Sequence, residues 1–146
     1  MPIIQENYKI QFSVPAGKYF IGDPCYILKG DGEWNEISNK TDWFEKMPDP
    51  IEFGGRAIVW AAGTAYGDGS YKAKGRFGDE RHEFECGVDA GLIGIVSVKD
   101  TDDLDDLNRL GRVVESNKSA FVTYDSDGKF RFGHVSIDTA EDDSDD

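Results

Sequence analysis

Two cysteines in a chain of 146 residues are too few for a disulfide framework, and Cys25 and Cys86 lack the paired spacing of a structural zinc site. They read as free thiols, mostly buried, and neither a metal nor a cofactor is expected. No apolar run approaches the roughly 20 residues needed to cross a bilayer, so the chain reads as soluble, without a membrane partner. The opening Met1-Pro2-Ile3-Ile4-Gln5-Glu6-Asn7 has no basic region followed by an apolar stretch and does not read as a secretory signal, which points to a cytoplasmic protein. Positive charge is also scarce. Sixteen Lys and Arg face 29 Asp and Glu, a formal net charge of −13, which argues against direct binding of nucleic acid and favours basic proteins or cations as partners.

What is present is enough for one folded unit. Apolar residues make up 38% of the chain and aromatics 12%, and a chain of this length buries roughly two thirds of its unfolded surface. The reading is a single β-rich domain over residues 1–139 and a disordered acidic tail over 140–146. Glu141, Asp142, Asp143, Asp145 and Asp146 place five negatives in that tail, with no apolar residue beyond Ala140 to offset the entropy of ordering it. Asp100, Asp102, Asp103, Asp105 and Asp106 form a second acidic run.

Tyr8, Ile10, Phe12 and Val14 alternate with polar residues, the period of a half-buried strand. Lys18 to Ile21 reads as a second strand, interrupted by Gly22-Asp23-Pro24 and resumed over Cys25 to Leu28 as a third. Thr41 is placed to begin a short helix carrying Trp43, Phe44 and Met47, which Pro48 ends. Arg56 to Ala62 reads as a central strand, and Gly67-Asp68-Gly69 as a hairpin turn or longer loop before Ser70 to Ala73. His82 to Val88 and Leu92 to Val98 follow as strands, then a helix of about three turns capped by Thr101 and stopped by Gly111. Arg112 to Glu115, Ala120 to Tyr124 and Lys129 to Asp138 close the chain as strands, with Asp125-Ser126-Asp127-Gly128 as a hairpin turn. Phe130 and Phe132 share one parity and Val135 and Ile137 the other, which places a bulge at Gly133-His134.

Only two short helices interrupt the strands, so the alternation of a parallel sheet is missing. The fold class is mainly β, α+β at the margin, with a mostly antiparallel curled sheet forming a barrel or a sandwich.

Gly17 to Leu28, with its Gly-Asp-Pro-Cys-Tyr motif, resembles a family of small uncharacterised proteins found largely in bacteriophages and bacterial genomes. Thr64 to Tyr71, Gly87 to Gly94 and Phe132 to Thr139 extend the resemblance through most of the chain. The Val-Asp-Ala-Gly stretch is also similar to one in a bacterial domain family of unknown function. The resemblance implies a phage-type origin, hence the host cytoplasm, and a shared fold, but no catalytic residue.

Candidate chemistry gathers at a few points. Asp23 and Cys25 flank a proline where a strand breaks, a place where side chains are aimed into pockets. A Cys25 nucleophile would need His82 or His134 within hydrogen-bond reach; a buried structural cysteine is the commoner state. Gly67-Asp68-Gly69 offers backbone N–H groups to a phosphate but lacks the lysine of a phosphate loop. Asp125, Asp127 and Gly128 echo part of a calcium loop, with Ser136 where the bidentate glutamate belongs. Asp89 either caps a turn or faces a ligand with Asp23 and Tyr26. Trp34 is either core or an exposed anchor for a partner.

Three function classes follow. The leading one is a phage-related, non-catalytic binding protein that sequesters or blocks a host factor with a basic surface, or a small ligand. A small hydrolase using Cys25, Asp23, Asp89 and His134 is the second. The third is a nucleotide sponge without chemistry, and the binding residues common to the readings are Asp23, Tyr26, Tyr66, Asp68 and Asp89.

Overall fold

Alternation over residues 9–14 produces the first strand, β1 (Lys9–Val14), with Ile10, Phe12 and Val14 buried and Lys9, Gln11 and Ser13 facing water. The computed structural model describes residues 9–28, 32–41, 49–63, 69–77, 80–88, 92–100, 102–125, 129–133 and 135–138. After β1 come β2 (Gly17–Gly22), a 3-10 turn (Pro24–Tyr26), α1 (Glu33–Lys40), β3 (Ile51–Phe53), β4 (Arg56–Gly63), β5 (Gly69–Phe77) and β6 (Glu80–Val88). β7 (Leu92–Ser97), α2 (Leu104–Leu110), β8 (Arg112–Ser116), β9 (Ala120–Asp125), β10 (Lys129–Phe132) and β11 (Val135–Asp138) complete the order.

The strands form two sheets, and all the pairings are antiparallel. A six-stranded sheet runs β1-β9-β10-β11-β5-β6, and a five-stranded sheet runs β3-β4-β7-β2-β8. Neither closes into a barrel; the arrangement is that of a β-sandwich, whose inner faces supply the core. Of the two architectures that alternation alone allows, the sandwich is the one adopted.

Trp60 on β4 is fully buried and anchors the space between the sheets. It stacks on Phe130 at 5.9 Å, meets Tyr124 edge-on at 5.8 Å and tilts against Phe12 at 5.4 Å, three rings supplied by the opposing sheet. Tyr19 and Phe132 make a second ring contact between the sheets at 5.5 Å. The Tyr124 hydroxyl donates to the Gly63 carbonyl, which ties β9 to the end of β4.

Several local expectations are overturned. The residues after Asp23 do not resume a strand: Pro24, with φ preset for a tight turn, starts the 3-10 turn instead, and Leu28 N reaches Pro24 O at 3.0 Å. Thr41 is the C-terminal cap of a helix that the sequence reading does not place, its Oγ1 donating to the Ile37 carbonyl at 2.8 Å, four residues back. The helix expected from Trp43 to Met47 lies outside the described residues. Gly67 and Asp68 also lie outside them, but β4 and β5 belong to different sheets, so this connection is not a hairpin. α2 is capped by Asp103, whose Oδ1 accepts from Asp106 N at 3.2 Å, and at seven residues it has about two turns; Thr101 lies outside the described residues.

The parity switch near residue 133 is a turn, not a bulge. Phe132 pairs with Val135 and Phe130 with Ile137, so β10 and β11 form a tight hairpin with Gly133 at φ 58°. Residues paired across a strand share a face, and all four apolar side chains therefore enter the core. Among the described residues, no helix is long and apolar enough to cross a membrane.

Candidate functional site

The Gly-Asp-Pro-Cys corner is built from the end of β2 outward. Gly22 pairs with Gly94 of β7, and Asp23 follows in extended conformation with its side chain fully buried. The Asp23 Oδ1 accepts a hydrogen bond from Cys25 N at 3.0 Å, the bond that satisfies a helix-start donor. Asp23 thus holds the corner's shape. Cys25 is half-buried, with its thiol not in a disulfide.

Tyr26 is half-buried and reaches toward β6, where its hydroxyl lies 3.6 Å from the place a Cβ on Gly87 would occupy. The Leu110 carbonyl at the end of α2 lies 4.0 Å from the same point. Cys86 is fully buried, and its Sγ lies 3.8 Å from the Ile21 carbonyl that precedes the corner. Burial pushes the Cys86 thiol far above its ordinary range, with Arg112 pulling weakly the other way. A thiol so placed is a packing group, not a nucleophile.

The described residues on both sides of the Val-Asp-Ala-Gly stretch meet this corner, Gly87 through Tyr26 and Gly94 through Gly22. Asp89 itself lies outside the described residues, as do Tyr66, Asp68 and His134. His82 lies in β6, paired with Gly75. The structure therefore brings Asp23, Cys25 and Tyr26 together within one turn. Asp125, the first residue of the calcium-like run, closes the β9–β10 turn by accepting from Lys129 N at 3.3 Å. Among the described residues, no three His, Cys, Asp or Glu side chains form a group able to hold a metal ion.

Trp34 does not stand out as an exposed anchor: it is half-buried on α1 and packs against the core, as its apolar area favours.

Sequence reasoning missed a buried ion pair. Arg56, 4% exposed, grips Asp102 through two bonds, Nη1 to Oδ2 at 2.6 Å and Nη2 to Oδ1 at 2.8 Å. Its Nη1 also donates to the Ser97 carbonyl at 2.9 Å, and Lys99 N donates to Asp102 Oδ2 at 2.7 Å. Burial pushes the Asp102 carboxyl up, but the hydrogen bonds and charges of Arg56 and Lys99 outweigh it and hold the group below its ordinary value. One of the five carboxylates in the second acidic run is therefore structural. Arg56 at the start of an apolar strand was the available signal, because a lone buried guanidinium requires a partner.

The remaining members of that run surround the start of α2. Asp100, Asp103 and Asp105 are exposed, and Asp106 is half-buried beside Arg109. Arg112, one residue past the helix's Gly111 cap, lies over the Phe84 ring at 5.3 Å and donates to the Glu83 carbonyl at 3.1 Å, joining β8 to β6. Comparison of the chain with protein-family models, with curated proteins and with solved structures gives no match.

Proposed function

We propose that this is a non-catalytic binding protein, phage-related, that sequesters or blocks a host factor through a basic surface on that factor. The observation that supports it is the carboxylate cluster around the start of α2, where Asp100, Asp103 and Asp105 face solvent within six residues. Spaced negative charge on a rigid support steers a basic partner and sets the orientation of docking. The five carboxylates of residues 141–146 add to the same sign.

The hydrolase alternative draws less support. One of its candidates, Asp23, is buried and used as a cap. The small-ligand alternative rests on one feature, the approach of Tyr26 to Gly87 beside the Leu110 carbonyl.

The test is capture from host lysate at low salt with three baits: the full chain, a form lacking residues 140–146, and Asp100→Lys with Asp105→Lys. The reading predicts a basic protein retained by the full chain and released by the charge-reversed bait. Capture of nothing, or equal capture by the charge-reversed chain, would count against it. A nucleotide screen by thermal shift separates the small-ligand reading, which requires a stabilising nucleotide.

A further inference from the structure

The whole-chain charge conceals a face of opposite sign. Strand register brings Gln11, Thr123, Arg131, Ser136, Lys74 and Glu83 into one row across all six strands of the larger sheet, on the side away from the core. At roughly 4.8 Å between strands the row is about 24 Å wide. Around it the exposed cations are Lys9, Lys72, Lys74, Arg81, Lys129 and Arg131, while the described carboxylates on that face are Glu83, Glu85 and Asp125. Among the described side chains, six positives against three negatives leave a local excess of +3 on a chain of net charge −13. Charges farther than about 8 Å away are largely screened at physiological salt, so the local sign governs what touches this face.

Two further features lie on the same face. Phe121, which pairs with Ser13, is 62% exposed, and among the described residues it is the one large apolar side chain left in water. A groove of about 520 Å³ crosses β5, β6 and β11, lined by Lys72, Lys74, Ser136, Phe84 and the two glutamates. Cations on adjacent strands beside an exposed aromatic ring match the needs of a nucleotide strand, whose phosphates take the charge and whose bases stack on the ring. An acidic protein segment would use the cations but has no demand for Phe121.

We propose that the outer face of the six-stranded sheet binds single-stranded nucleic acid, with Arg131, Lys74 and Lys129 on phosphates, Ser136 as a hydroxyl donor and Phe121 as a stacking platform. This site is separate from the acidic one around α2. The expectation that a chain of net charge −13 avoids phosphate backbones averages over both surfaces, and the register separates them.

The experiment is fluorescence anisotropy with a labelled short oligothymidine, beginning near 50 mM salt, where phosphate contacts are strong. Arg131→Glu with Lys74→Glu should weaken binding at least tenfold more than Lys18→Glu, an exposed lysine of the other sheet. Phe121→Ala should cost about tenfold, the effect of losing one stacked base. With three phosphate contacts, log affinity should fall against log salt with a slope of about −2. Melting curves check that each surface variant stays folded, and the milder Arg131→Gln supplies a second reading. Lack of binding at low salt overturns the proposal. So does an unaffected Phe121→Ala combined with equal competition by polyglutamate, which would mark a surface for acidic protein segments.

Discussion

Arg56 and Asp102 form a two-pronged ion pair at 2.6 and 2.8 Å across 46 positions of sequence, joining the first residue of β4 to the segment between β7 and α2. The same guanidinium contacts the Ser97 carbonyl, so the pair fastens β4 and β7 of the five-stranded sheet to the approach to α2. The acidic cluster proposed as a binding surface is positioned by this clamp.

Removing one partner should be costly. Asp102→Ala leaves a buried guanidinium without its counter-charge, and urea denaturation should register a loss of about 3–5 kcal/mol. Replacing both partners, Arg56→Met with Asp102→Leu, should lose much less than either single change, because no uncompensated charge remains. Additive losses would mean that the two side chains do not interact as described.

The clamp also sets an acid limb. Asp102 titrates below its ordinary value when folded, so its contribution is fully present above the unfolded aspartate value of about 3.9 and is lost as pH falls through the lower folded value. Stability measured from pH 6 down to pH 2 should fall steeply for the native chain. Asp102→Asn should start lower and fall less. Parallel curves for the two proteins would place the acid sensitivity elsewhere.

The two thiols should part in reactivity. Cys86, wholly buried and held protonated, should resist iodoacetamide at neutral pH until the protein unfolds. Cys25, half-buried, should react, at a rate no faster than free cysteine in solution if the binding reading holds. Mass spectrometry of peptides resolves the two sites, and rapid alkylation of Cys25 would revive the hydrolase reading.

Gly94 has no room for a side chain. A Cβ there would lie 2.1 Å from the Trp60 carbonyl and 2.7 Å from the Ala61 Cα, both backbone atoms of the neighbouring strand. Gly94→Ala should therefore cost about 3 kcal/mol, the upper range of overpacking. Gly32→Ala meets nothing within 4 Å and bears only its left-handed φ of 68°, so it should lose about 1–2 kcal/mol. Equal effects would contradict the close approach of β4 and β7.

Strand positions were legible because period-two alternation is a local property: Ile10, Phe12 and Val14 announce a buried face without knowledge of the partner strand. The corner was legible as a break, through Gly22 and Pro24, but not as a 3-10 turn, since the choice between extended and turned backbone depends on the Asp23 cap. The β10–β11 hairpin was misread because a two-residue turn and a one-residue bulge shift parity alike, and only the pairing of Phe130 with Ile137 separates them. Arg56 and Asp102 were missed for a related reason. A contact between residues so far apart leaves no periodic trace, and Asp102 sits among aspartates that face water. The charge pattern of the six-stranded sheet was equally hidden, as it follows from the order β1-β9-β10-β11-β5-β6 rather than from composition.

That order decides which charges share a face, and nuclear Overhauser contacts between backbone protons test it most directly. The account predicts cross-strand contacts for Phe130 with Ile137, for Ser136 with Lys74 and for Thr123 with Arg131. A continuous extended strand through residues 129–138, with no contact between Phe130 and Ile137, would contradict the register and dissolve the basic face built on it.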